Sequence, residues 1–294
     1  MHRLAWLVTP AEKQQSIVKG QGASTAVSVP RTRIPRTLPE MAPAGDKFFT
    51  GTITSRREIS HDLWAIRVDP GGHFSFIAGQ YATLGADGSS GHVERAYSIV
   101  SSPHEPELEF FVELVPEGAL TPLLYRLNVG DTVSIRKAAK GRFLVEIAAG
   151  PADHLFLCTV TGVAPFLSLV RTLARDWREG RFNGDLRLFL IQGASLSSEL
   201  GYREEIEAFA RELPWLTYVP TVSRPWDDPE WKGETGRVDD LIRKYADQWC
   251  PDPARAMAHL CGHPSMIEHG KAILGRRGWT KGHLKEESYF VLPR

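Results

Sequence analysis

The 294-residue chain is long enough for two domains, and its 35 basic and 35 acidic side chains cancel to a formal net charge of zero. That balance excludes nucleic acid or an anionic membrane as a bulk electrostatic partner and leaves charge-driven docking to local patches. Cys158, Cys250 and Cys261 are far apart and lack the paired spacing of a zinc or iron–sulfur site, which fits a reducing, cytosolic compartment, and no apolar run approaches the ~20 residues that span a bilayer.

Residues 1–46 are rich in Pro, Ser, Thr and Gly, carry Arg31, Arg33 and Arg36 and hold few acids. They read as a flexible extension, with an organelle transit peptide, or an over-long start ahead of Met41, as alternatives. From Phe48 to about Ile147, short alternating segments separated by turn residues mark an antiparallel barrel or sandwich. Within it, "RAYSIVSSP" (95–103) reads as a buried strand in which Arg95 and Tyr97 share one face and Ser98 follows. A cation, an aromatic plane and a hydroxyl are what a dinucleotide with a flat ring and a diphosphate requires; otherwise the Tyr is core and the Arg a solvated edge. "ELEFFVELV" puts Leu108, Phe110, Val112 and Leu114 on one face and Glu109 and Glu113 on the other, the pattern of a half-buried strand. In "PEGALTPLLYRLNVGD", Leu120, Leu123, Leu124 and Leu127 have helical spacing, with Thr121 as the expected N-cap and Pro122 in the first turn.

From about His154 strand and helix patterns alternate, which implies a parallel sheet covered on both faces and ligands at the carboxyl ends of its strands. "CTVTGVAPFLSL" (158–169) turns from the first strand into the first helix, where doubly wound folds bind a pyrophosphate, although it is not GxGxxG. Arg224 and Arg237 stand near the ends of later strands, where a 2′-phosphate needs cations, and Trp226 and Trp231 lie between them as candidates to cover an adenine. Both arginines also fit plain surface charge.

"RAYS", "GALT", "TGVAPF" and "CGHPSM", in that order, resemble the ferredoxin–NADP reductase superfamily, and most closely its bacterial ferredoxin (flavodoxin)–NADP reductases, over residues 47–294. The resemblance implies a six-stranded antiparallel β-barrel over 47–149 that binds FAD. A five-stranded parallel-sheet α/β domain over 150–294 then binds NADP(H). It also implies a cytoplasmic monomer that exchanges electrons with ferredoxin or flavodoxin. An oxygenase reductase component, a free-flavin reductase and a non-catalytic flavin sensor are the alternatives.

By the same resemblance Arg95, Ala96, Tyr97 and Ser98 bind FAD: Arg95 at the diphosphate, Tyr97 stacked on the isoalloxazine, Ser98 near N5. Gly118, Leu120 and Thr121 supply the second phosphate contact. Thr161, Gly162 and Pro165 form the nicotinamide-cofactor turn, with Val160 where the family has its first glycine. Arg224 and Arg237 take the 2′-phosphate, with Ser195 where relatives often carry a further arginine. Cys261 lies beside the nicotinamide, with Gly262 and Pro264 shaping the turn and His263 replacing a common Asn. Glu287 is the acid near the flavin, and Phe290, with Tyr289 as the alternate, stacks on the ring and moves aside for nicotinamide. The expected catalytic set is therefore Ser98, Cys261, Glu287 and Phe290.

Overall fold

The computed structural model describes residues 47–89, 91–145 and 152–289; the expectations for the N-terminal extension and for Phe290 lie outside them. The first half is built from β1 (Phe48–Glu58), β2 (Leu63–Asp69), β3 (Tyr81–Gly88), β4 (Gly91–Ser98), β5 (Leu108–Glu113) and β6 (Thr132–Arg136). They form one antiparallel sheet in the order β4-β3-β6-β1-β2-β5. The sheet curls until its edges meet at an Ile99–Phe110 bridge. Period-two alternation fills the interior with Trp64, Ile66 and Val68 from β2 and Phe110 and Val112 from β5, all at most 1% exposed.

Three sequence expectations change here. β5 is buried on both faces, because Glu109 and Phe111, which face away from the barrel interior, are covered by the second half of the chain. β4, in contrast, is largely an exposed edge until Tyr97 and Ser98. The short helix α1 (Thr121–Tyr125) exists, but Leu120 is its N-cap, and Thr121 is its first residue. The Thr121 hydroxyl instead accepts from Val115 N and donates to Val115 O, both at 3.0 Å, and closes the preceding loop on itself.

The second half alternates β7 (Asp153–Thr159), α2 (Ala164–Arg178), β8 (Arg187–Ala194), α3 (Arg203–Glu212), β9 (Leu216–Val222), β10 (Glu234–Thr235), α4 (Val238–Trp249), β11 (Ala256–Gly262), α5 (Pro264–Arg276) and β12 (Leu284–Ser288). All strand pairs are parallel, in the order β10-β9-β8-β7-β11-β12. The sixth strand, beyond the five expected, is the two-residue β10, too short for any periodicity to reveal. α2 carries Pro165 in its first turn, where the missing N–H costs nothing, and ends with Arg175 and Arg178 against the negative end of the helix dipole.

Because strands in a parallel sheet bury both faces, β7 divides its apolar residues: Phe156 and Cys158 face α2, whereas Leu155 and Leu157 face α4 and α5. The core on the α2 side also takes in Leu63, Ala65, Val100 and Phe111 of the barrel, so the two halves share one apolar interface. Strand order reverses between β7 and β11, which opens a crevice at their carboxyl ends.

Candidate active site

The crevice is lined by two backbone turns in very close contact. A Cβ on Gly162 would lie 2.3 Å from the Cys261 carbonyl oxygen, and one on Gly262 (φ +123°) would lie 2.3 Å from Thr159 Oγ1. Only glycine fits at either position, and Thr159 Oγ1 bridges the turns by accepting from His263 N at 2.8 Å. Val160, where a glycine was expected, holds φ +44°, a left-handed conformation that opposes a β-branched side chain. Thr161 and Pro165 are buried in the 3-10 turn and the first turn of α2.

A cleft of about 440 Å³ opens over these turns, with Val160, Gly262, Ser195, Ser223, Arg237 and Tyr289 among its walls. Arg237 is exposed at the N-cap of α4. Arg224 is exposed as well, and its backbone N–H donates to Ser195 O at 3.1 Å, which places it beside the position that lacks the further arginine. Around that position Ser195 N and Leu196 N donate to Glu199 Oε2 (2.8 and 3.2 Å). Of the two tryptophans, Trp231 is held in its loop by a bond from Nε1 to Glu234 O and lies under Arg203, whereas Trp226 is 73% exposed.

The end of β4 reaches this crevice from the barrel. Ser98 is buried and donates Oγ to Glu287 Oε1 at 2.8 Å; Glu287 in turn is the direct cross-strand neighbour of Cys261. The Cys261 thiol donates to Tyr289 Oη at 3.4 Å, and that hydroxyl donates to Thr161 O at 2.9 Å. The Ser98–Glu287 bond and the Cys261–Tyr289–Thr161 bonds therefore converge on the paired residues Glu287 and Cys261, where the barrel strand meets the dinucleotide turns. Burial, then the charge of Glu287, pushes the Cys261 thiol up and keeps it protonated at neutral pH. Burial also raises the Glu287 carboxyl, with the Ser98 hydroxyl opposing.

Further along β4, Tyr97 is half-buried with its ring edge-on to Phe110, centroids 6.5 Å apart. Ala96 and Arg95 are exposed, the Arg95 guanidinium bonding only to the adjacent Glu94 carbonyl at 2.7 Å among the described contacts. Gly118 sits in the loop closed by Thr121, where a Cβ would come within 2.9 Å of Val115 O. Leu120 is 1% exposed, so its side chain belongs to the barrel core and only its backbone can face a ligand. An accessible guanidinium, an aromatic face and a glycine loop on the barrel suit a flavin dinucleotide. The glycine-walled cleft with Arg237 suits a nicotinamide dinucleotide phosphate.

Sequence reasoning missed Thr159, whose hydroxyl joins the turns; its neighbours in sequence are apolar and only the contact with His263 reveals it. Tyr289, the alternate to Phe290, is tied into the crevice by its hydroxyl.

Two sequence families match the chain: an oxidoreductase FAD-binding domain over residues 50–144 and an oxidoreductase NAD-binding domain over residues 156–271. Ferredoxin–NADP reductase A of Sorangium cellulosum (strain So ce56) is 30% identical over 250 residues, covering 83% of this chain and 88% of that protein. The ferredoxin–NADP reductase of Pseudomonas aeruginosa is 31% identical over 244 residues, covering 78% and 90%. The reductase component of phenol 2-monooxygenase from Pseudomonas sp. (strain CF600) is 30% identical over 83% of this chain but only 64% of its own length. Among solved structures, a ferredoxin NADP+ reductase from Neisseria gonorrhoeae with bound FAD and NADP superposes with a TM-score of 0.72 at 26% identity, over 83% of this chain and 99% of that one.

Proposed function

Since the chain belongs to the ferredoxin–NADP reductase family, we propose that it transfers hydride between NADPH and FAD and passes single electrons between FAD and a separate carrier protein, ferredoxin or flavodoxin. The observation that carries this reading is that the Ser98–Glu287 and Cys261–Tyr289 bonds lie on paired residues of β11 and β12, which brings the end of β4 to the dinucleotide turns. Bound FAD and NADPH supply the hydride and one-electron chemistry.

The residues of the chain supply geometry. Arg95 neutralises the flavin diphosphate, the Tyr97 ring backs the isoalloxazine, and Ser98 Oγ, oriented by Glu287, presents a hydroxyl beside it. The Gly162 and Gly262 turns admit the nicotinamide ribose and diphosphate, Arg237 and Arg224 take the 2′-phosphate, and the protonated Cys261 thiol packs at the ring without acting as a nucleophile. Tyr289 occupies the nicotinamide side of the crevice until the dinucleotide displaces it, and it shields the centre from water meanwhile.

We place the protein in the cytoplasm as a monomer. Among the described residues no helix is long and apolar enough to cross a membrane, and the three cysteines are buried free thiols, as suits a reducing compartment. An anaerobic absorption spectrum before and after NADPH tests the proposal: a flavin spectrum that bleaches supports it, and flavin that stays oxidised refutes it. Similarity to an oxygenase reductase component favours a second reading, in which the acceptor is an oxygenase system. Cytochrome c reduction that requires added ferredoxin or flavodoxin supports the first acceptor.

A further inference from the structure

The two halves are joined along one face of α2 by a polar seam. Ser168 Oγ donates to Ser101 O at 2.7 Å, and Arg171 Nη1 reaches Val100 O at 3.4 Å. Thr172 Oγ1 lies 3.0 Å from Ser102 Oγ, and Arg175 Nη1 donates to His104 O at 3.3 Å. The spacing i, i+3, i+4, i+7 puts all four side chains on one helix stripe, and their partners all lie within residues 100–104, shortly after Ser98.

At the centre of the seam lies Glu109, a buried carboxylate of the barrel. It accepts from Arg171 Nη1 at 2.6 Å and from the Tyr202 hydroxyl at 2.8 Å, while its backbone N–H donates to Ser101 Oγ at 3.1 Å. Arg171 is held on its other edge by Glu205, through Nε and Nη2 at 2.7 and 2.9 Å, and stands over the Tyr202 ring. Glu109 also accepts from Arg67 Nη2 of the barrel at 3.3 Å. A buried ion pair of this kind gains little net stability over apolar packing, since desolvation offsets the attraction, but removing Arg171 leaves Glu109 without its cross-domain partner.

α2 begins at the turn that carries Val160 to Gly162, and a helix of 15 residues transmits a shift of its flank to its end. We propose that this seam, with Arg171 and Glu109 as positioning residues, sets the separation between the flavin strand and the dinucleotide turn. The inference rests on the functional reading above for its catalytic consequence, and on geometry alone for its structural one.

Both parts are measurable on the same protein. Nitroxide labels at His61→Cys on the barrel and Glu268→Cys on α5 report the inter-domain distance, since both native residues are exposed and all three native cysteines are buried. In Arg171→Met and Glu109→Gln the distance distribution broadens, the NADP+ dissociation constant stays within about twofold, and flavin reduction by NADPH slows by about ten- to a hundredfold. Arg171→Lys, which keeps the charge but cannot span Glu109 and Glu205 together, recovers part of the rate. If Arg171→Met does not fold, the paired change Ser168→Ala and Thr172→Val removes the flanking bonds alone and is expected to broaden the distribution less. An unchanged distance distribution, or a rate loss matched by equal loss of NADP+ binding, overturns the proposal. Wild-type flavin that NADPH does not reduce overturns the functional reading instead, and the distance measurement still decides the seam.

Discussion

Tyr289 donates its hydroxyl hydrogen to the Thr161 carbonyl, so the residue that follows β12 is fastened to the first turn of the dinucleotide fold. The same hydroxyl accepts from Cys261, and the ring forms part of the cleft wall. A nicotinamide that reaches Cys261 must break both bonds, at a cost of about 1–2 kcal/mol. Tyr289→Ser is therefore expected to tighten NADP+ binding by roughly five- to thirtyfold. Titration followed by difference absorption checks this, and unchanged affinity would place the nicotinamide elsewhere.

Arg237 is the exposed cation on the cleft wall that suits a 2′-phosphate. Arg237→Ala is expected to weaken NADPH by about tenfold, ~1.4 kcal/mol, and to leave NADH almost unchanged. Ser195→Arg restores the absent third cation and shifts preference further toward NADPH. Steady-state constants for both nucleotides decide; equal losses would remove Arg237 from the phosphate site.

Val160 reverses the usual ranking of substitutions. At φ +44° any Cβ costs about 1–2 kcal/mol, so Val160→Gly is expected to be more stable than Val160→Ala by about 1 kcal/mol, although glycine is ordinarily the worse replacement. Urea unfolding of the two variants measures the difference, and alanine equal to or above glycine would show that the turn carries no strain.

Glu287 places function against stability. Its buried carboxyl holds a proton more tightly when folded than when unfolded, so its stabilising contribution is complete below the unfolded value near pH ~4.3 and is lost as pH rises through the folded one. Glu287→Gln, still able to accept from Ser98, is expected to melt about 2 °C higher at pH 7.5, with the gap closing toward pH 4, and to reduce flavin more slowly. Melting curves at the two pH values check the sign.

His259 and His154 form a buried imidazole pair, Nε2 to Nδ1 at 3.2 Å, with Phe143 and Phe156 against the His259 ring. Burial, then His154 and Lys285, holds His259 well below the usual value. The unfolded chain takes up this proton near pH ~6.5 and the folded one does not, so stability falls as pH drops below that point, by up to about 1.4 kcal/mol per unit. Unfolding at pH 7.5, 6.5 and 5.5 measures the slope, which is expected to become shallower in His259→Leu.

Much of the architecture was legible because both halves obey simple periodicities. The barrel's inward residues alternate, the second half switches between strand and helix, and the motifs fall at strand ends. What stayed hidden depends on contacts distant in sequence. Glu109 alternates with apolar neighbours as a solvated strand residue does, and only its contacts with Arg171 and Tyr202 reveal a buried one. Ser168, Thr172 and Arg175 likewise look like the wet face of an amphipathic helix until the barrel segment is laid against them. Thr121 had every mark of an N-cap, but its hydroxyl closes a loop with Val115 instead. Gly162 and Gly262 were legible as turn glycines at strand ends, whereas their contact with each other's turn was not.

Ser98 and Glu287 are 189 positions apart in sequence, and this distance governs the order of assembly. The barrel emerges first during synthesis and its strand pairings all lie within residues 48–136, whereas contacts of such long separation form late. β12 can join only after β11 is in place, so the polar contact across the halves is completed after nearly everything else has folded. A mutation that delays β12 would then yield chains that hold the first cofactor yet cannot use the second: a defect of maturation, which slow recovery of activity after synthesis distinguishes from a defect of chemistry.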